Sequence, residues 1–198
     1  MKTALSALIL LALGFAGAQP QEPRSQKPQS AAQEPRPMSK PQKITTFLWF
    51  DDQAEEAIRF YLSVFGDGRI LDESRWGEGG PVPAGTLMTA RFSLCGQEFI
   101  ALNGGPTFRF NEAISLVVNC SDQREVDTLW DRLSADGGKP GRCGWLEDKY
   151  GLSWQIIPSV LGDLLHDKDP AKARRVGAAM MQMGKIDIAA LQRAHAGK

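Results

Sequence analysis

Histidine is nearly missing from this chain. Its 198 residues hold two, His166 and His195, both in the C-terminal stretch. A site built from the preceding residues must work without imidazole, which excludes most hydrolytic triads and His-rich metal centres there. Net charge is missing as well, with 23 basic against 23 acidic side chains. Nothing in that balance offers a footprint for a nucleic-acid backbone or an anionic membrane surface, so no nucleic-acid partner is expected. Cysteine is sparse and odd in number. Cys95, Cys120 and Cys143 allow at most one disulfide within a chain, and Cys143 has no His or basic cluster beside it to activate a thiolate. A glycine-rich strand-to-helix turn is absent too. Gly77-Glu78-Gly79-Gly80 lies between two strands and leads into prolines, so no nucleotide-type cofactor is expected.

What is present begins with a leader. Lys2 precedes an apolar run from Ala4 to Leu13, and Ala16-Gly17-Ala18 stands before Gln19. A basic start, a short apolar core and an A-x-A site form a secretory signal pattern, and the run is too short to span a bilayer comfortably. Residues 1–18 are read as a signal peptide, which makes the protein exported, periplasmic or secreted, with no stable membrane span after cleavage. Residues 19–42 hold six of the twelve prolines and six glutamines. Such a stretch buries too little to offset the entropy of ordering it, and reads as a disordered Pro/Gln-rich tether.

From Lys43 the pattern becomes structural. Ile44 to Phe50 reads as a strand, and Asp52 with Glu55 as the capping pair of a helix with the stripe Ala57, Phe60, Tyr61, Val64 and Phe65. Extended segments follow at residues 69–76, 86–94 and 97–102. The order then restarts. Ile114 to Cys120 is a strand, and Ser121-Asp122 opens a helix with the stripe Val126, Leu129, Trp130 and Leu133. A shift of about 70 residues lays Ile44 on Ile114 and Asp52 on Asp122. A shift of about 55 lays Gly96-Gln97-Glu98-Phe99 on Gly151-Leu152-Ser153-Trp154. Duplication predicts an α+β fold: two βαβββ modules forming a curved mixed sheet, helices on the outer face and a cavity on the inner one. Period two assigns Ile44, Leu48, Phe50, Ile114, Leu116, Val118 and Cys120 to the helix side, and Thr45, Phe47, Trp49, Ser115, Val117 and Asn119 to the cavity side. Residues 159–198 read as a helical extension. Val160 to Leu165 forms one helix, Pro170 opens a second with Val176, Met180 and Met183, and Asp187 caps a third. A homodimer in which these helices cover sheet edges is expected.

Residues 43–158 resemble the vicinal oxygen chelate superfamily, which includes glyoxalase I, extradiol dioxygenases and bleomycin-binding proteins. Phe47-Leu48-Trp49-Phe50-Asp51, Ala54-Glu55-Glu56-Ala57 with Phe60-Tyr61, Leu102-Asn103-Gly104-Gly105-Pro106 and the run from Cys143 to Gln155 resemble its PhnB-like branch. That branch carries a methyltransferase name. The resemblance implies paired βαβββ modules, in agreement with the repeat. It also implies metal-ligand positions at Thr45, Ala101, Ser115 and Gln155. A methyl group cannot ligate and two neutral hydroxyls are poor ligands, so no metal is expected. What the cavity side retains is a neutral lining of Thr45, Phe47, Trp49, Asn103, Ser115, Asn119 and Gln155, suited to a small molecule held by hydrogen bonds between rings. Two functions stay open: a metal-free small-molecule binding protein, and a lyase, isomerase or metal-dependent glyoxalase-like enzyme using the same cavity. Glu147 and Asp148 flank a turn and read as a solvated hairpin.

Overall fold

The computed structural model describes residues 42–198. The stretch read as a signal peptide, and all of the stretch read as a tether except Gln42, lie outside the described residues. The first module runs β1 (Thr46–Phe50), α1 (Ala54–Phe65), β2 (Gly68–Arg75), β3 (Leu87–Leu94) and β4 (Gln97–Asn103). The second runs β5 (Leu116–Cys120), α2 (Gln123–Leu133), β6 (Lys139–Pro140), β7 (Trp145–Glu147) and β8 (Ser153–Pro158). Each forms a four-stranded sheet in which the first strand lies parallel beside the last, in the orders β1-β4-β3-β2 and β5-β8-β7-β6. The two sequence shifts meet in this register. Phe47 pairs with Ile100 and Val117 with Gln155, the same position in each copy.

The expected mixed sheet is made of two four-stranded sheets, one from each module. β1 and β5 are edge strands that pair with β4 and β8 and not with each other. Both also start two residues later than the hydrophobic pattern predicts. Ile44 and Ile114 precede the ladders and are 86% and 71% exposed, so neither belongs to the helix-facing core. The side-chain amide of Gln42 stands in where β1 has not begun: it donates to the Ile44 and Glu98 carbonyls and accepts from Glu98 N–H.

Period two holds inside the strands. Leu48, Phe50, Ala90, Phe92, Leu94, Phe99 and Ala101 bury against Ala57, Ile58, Tyr61 and Val64 of α1. Cys120, Leu146, Trp154 and Ile156 share that core with Val126, Leu129, Trp130 and Leu133 of α2. Helix α2 begins as the capping pattern predicts, with Asp122 Oδ1 accepting Glu125 N–H at 2.9 Å. Helix α1 does not. Its cap position is Gln53, which makes no side-chain capping bond, and the acceptor comes from across the sheet: Asn103 Oδ1 takes Ala54 N–H at 2.8 Å. Glu55 turns instead to Arg59 and Arg75.

The extension forms α3 (Val160–Leu165), α4 (Pro170–Met180) and α5 (Ile188–Ala196), the last capped by Asp187. Leu161, Val176, Ile186 and Leu191 make a second, smaller core. The extension docks on its own second module. Gln123 at the start of α2 bonds both Ile186 O and Ile188 N, and the Cys143 and Gly144 amides donate to Met183 and Gly184 carbonyls. Among the described residues, no helix is long and apolar enough to cross a membrane.

Candidate functional site

The Asn-Gly-Gly-Pro run that ends β4 has a separate task for each of its first three residues. Asn103 faces the helix side, its carbonyl capping α1 and its amide donating to Leu87 O at 3.1 Å. Both ends of its side chain are thus occupied within the scaffold, and it does not reach the cavity side as expected. Gly104 lies flat beneath the Trp49 indole, where an added Cβ would stand 2.3 Å from a ring carbon. Gly105 has φ +81, a backbone conformation that favours glycine, and its carbonyl accepts the Trp49 indole N–H at 2.9 Å. Phe108 meets the same indole edge-on, ring centres 5.0 Å apart. Trp49 is therefore fixed on three sides.

Beyond Trp49 opens a cavity of about 410 Å³ between the end of β1, the 106–110 segment and the turn that follows β7. Its rings come from Trp49, Phe50, Phe108, Phe110 and Tyr150, and its polar groups from Asp51, Gln53, Arg109, Lys139, Glu147 and Lys149. Lys139 pairs with Glu147 at 2.6 Å. Lys149 pairs with Glu56 at 2.8 Å and lies over the Phe60 and Tyr150 rings, while Tyr150 Oη donates to the same Glu56 oxygen at 2.7 Å. Burial, then the Glu56 carboxylate, pushes the Tyr150 phenol up to about 12, so it serves as a neutral donor. Asp51, Gln53 and Arg109 make no side-chain hydrogen bond or ion pair with any described residue.

The turn itself is built on Asp148, which is 1% exposed and not the solvated residue that the sequence suggests. Its carboxylate accepts four hydrogen bonds, from Tyr61 Oη and Trp154 Nε1 at 2.8 Å each and from the Tyr150 and Leu152 amides at 2.9 and 3.0 Å. Burial raises its pKa, and the four donors oppose that rise. No carboxylate chemistry toward a ligand is available from a group so enclosed. Asp148 orients the turn that carries Lys149 and Tyr150.

The residues expected on the cavity side are divided. Trp49 lines the cavity just described. Ser115 and Asn119, with Val117, border a second hollow of about 620 Å³ beside Phe99 and Trp154. Gln155 Nε2 donates to Ser115 Oγ at 2.8 Å, so these two meet each other. Thr45 is half-buried ahead of β1 and Phe47 is 53% exposed on the open sheet face. Neither hollow includes Thr45, Phe47 or Gln155.

Pairing also corrects one metal position. The counterpart of Gln155 is Ile100, whereas Ala101 is fully buried against α1. Two hydroxyls, an alkyl side chain and one carboxamide do not fit a divalent ion whichever residue is taken. No cluster of three His, Cys, Asp or Glu suited to a metal occurs among the described residues. The strand-to-helix turns, residues 51–53 and 121–122, contain no glycine that would let a nucleotide-type cofactor approach the backbone. The cavity residues that sequence reasoning missed include Phe50, Asp51 and Gln53 at the end of β1, and Phe108, Arg109, Phe110, Lys139, Lys149 and Tyr150. The one local signal was Phe108-Arg109-Phe110, an aromatic-cation-aromatic triplet just past the glycine turn.

All three cysteines are free thiols. Burial, then the Glu125 and Asp122 carboxylates, pushes the Cys120 thiol up to about 12.

A family model described as 3-demethylubiquinone-9 3-methyltransferase matches residues 42–157. Among solved structures, the PhnB protein of Bacillus cereus is 43% identical over 58% of this chain and 97% of its own, with a TM-score of 0.53. A Staphylococcus aureus protein is 32% identical over 58% of this chain and 93% of its own, TM-score 0.28. A glyoxalase/bleomycin resistance protein from Albidiferax ferrireducens is 17% identical over 56% and 92%, TM-score 0.37. No curated protein matches the chain.

Proposed function

Since the chain belongs to the PhnB-like family whose model is described as 3-demethylubiquinone-9 3-methyltransferase, we propose that it is an exported domain that binds a small molecule without a metal, in the cavity beside Trp49. The observation that carries this reading is the cavity itself: about 410 Å³, walled by five aromatic residues and edged by a few polar groups. That volume falls in the range of ligand pockets, ~300–1,000 Å³, and mixed linings of this kind are their usual chemistry. Immobilised rings favour binding, because little side-chain entropy is lost when a ligand seats on a tryptophan already held by Gly105 and Phe108. The leader pattern in residues 1–18 supports export.

A homodimer belongs to the same reading. Phe47 and Val117, 53% and 54% exposed on strands β1 and β5, are large apolar side chains that a second copy would cover. The helical extension is engaged with its own module, which makes these strands the better candidates for the interface than the helices.

The test is a thermal-shift screen of EDTA-dialysed protein against small aromatic compounds, neutral and charged. Compounds should raise Tm without added metal, and Phe108→Ala should reduce the rise. Stabilisation that requires added Zn²⁺, Ni²⁺, Mn²⁺ or Fe²⁺, or a rise unaffected by Phe108→Ala, overturns the reading.

A further inference from the structure

The charges around the cavity point beyond a generic small molecule. Two of its cations are already neutralised, Lys139 by Glu147 and Lys149 by Glu56. What remains is one anion, Asp51, and one cation, Arg109, both lining the cavity and paired neither with each other nor with any other described residue. A cavity meant for a plain anion has no use for Asp51, and one meant for a plain cation has no use for Arg109. The same cavity is lined by the rings of Trp49, Phe50, Phe108 and Phe110 and by Gln53.

From this arrangement we infer that the cavity takes a zwitterion of the free amino-acid type, with an apolar or aromatic side group. The inference rests on the reading of this cavity as the ligand site. The ligand carboxylate meets the guanidinium of Arg109, whose planar fork suits two parallel hydrogen bonds. The ammonium meets Asp51. The side group lies against the Trp49 and Phe108 rings, which are already at right angles to one another and offer a corner for a flat or branched apolar group. Gln53 carries both a donor and an acceptor and can serve either polar end. Opposite charges at two points favour a zwitterion over neutral aromatics of similar size, because only the zwitterion pairs both Asp51 and Arg109, which are exposed side chains.

The experiment compares three probes on the full chain by isothermal titration: L-phenylalanine, 3-phenylpropionate, which lacks the ammonium, and 2-phenylethylamine, which lacks the carboxylate. L-phenylalanine should bind about tenfold or more tightly than either single-charge analogue, as one charge-assisted hydrogen bond supplies. Arg109→Gln should weaken L-phenylalanine and phenylpropionate about tenfold and leave phenylethylamine unchanged, and Asp51→Asn should do the reverse. Neither side chain makes a hydrogen bond with any described residue, so the variants keep the fold. Equal affinity for the three probes, or affinities indifferent to both substitutions, overturns the zwitterion and leaves the cavity reading standing if Phe108→Ala still weakens all of them. Binding of none of the three while neutral aromatics bind in the thermal-shift screen also overturns the zwitterion alone. No binding by any compound overturns both.

Discussion

Tyr61 Oη donates to Asp148 Oδ2 at 2.8 Å, joining α1 of the first module to the turn that follows β7 in the second. The bond crosses the boundary between the duplicated halves, and the turn it secures carries Lys149 and Tyr150 to the cavity wall. Both partners are nearly excluded from water, Tyr61 also at 1% exposure. Breaking it leaves a buried carboxylate one donor short. Tyr61→Phe should cost about 1–3 kcal/mol in urea unfolding. Asp148→Asn should cost about 3 kcal/mol, because an amide cannot accept from all four donors and brings donors of its own. The double variant should show a coupling of about 0.5–3 kcal/mol. Additive costs would mean that the two halves are not tied through this contact.

Asn103 makes a second long-range prediction. Its carbonyl is the side-chain acceptor for α1, so Asn103→Ala should destabilise by about 1–2 kcal/mol, as loss of a helix cap does. Asn103→Asp keeps an acceptor at Ala54 N but loses the donor to Leu87 O, and should fall between. Neither change should alter ligand affinity at the cavity by more than about twofold, since the side chain faces the helix. Urea midpoints and titration with an aromatic probe separate the two effects.

Glu55 sets an acid limit. Its hydrogen bonds to Arg75 and then Arg59 hold its carboxyl at about 2, below the ordinary 4.5. A folded-state pKa below the unfolded one means stability present above pH 4.5 and lost as pH falls toward 2. The urea midpoint of wild type should exceed that of Glu55→Gln at pH 6, and the gap should close between those two values. An unchanged gap at pH 2.5 would show that the ion pairs do not act on folding.

The thiols give a chemical check. With Cys120 buried and its pKa pushed up to about 12, it should resist iodoacetamide at pH 8 in native protein and react fully in urea. Exposed Cys95 should be modified first, and early labelling of Cys120 would contradict the packing of β5 against α2.

Much of the fold was legible because it rests on local period and on repetition. The stripe Val126-Leu129-Trp130-Leu133 is buried as its spacing predicts, and Asp122 caps its helix. The 70- and 55-residue shifts located the paired strands that the register reproduces. What failed was non-local. Asp52 and Glu55 form a plausible capping pair in sequence, but the acceptor for α1 arrives from 49 residues away. Asp148 read as solvated because nothing near it in sequence buries a carboxylate, and its Tyr61 donor lies 87 residues earlier. The cavity escaped for the same reason: Phe108, Arg109 and Tyr150 lie on connecting segments, and only the meeting of the modules brings them to Trp49. Alternation sorted the residues of β1 and β5 onto the correct faces but misplaced Ala101 and Asn103 of β4, and it carried no information on whether the two open faces close over one space.

The most direct test of the account is a ¹H–¹⁵N correlation spectrum of the EDTA-treated full chain titrated with L-phenylalanine, with the Trp49 indole peak assigned through Trp49→Phe. The expected result is a saturable shift of the Trp49 indole and of the amides of Phe108, Arg109, Phe110 and Tyr150, with Ser115, Val117, Asn119 and Gln155 unmoved. Shifts centred on those last four residues, or a response only after a divalent metal is added, would contradict it.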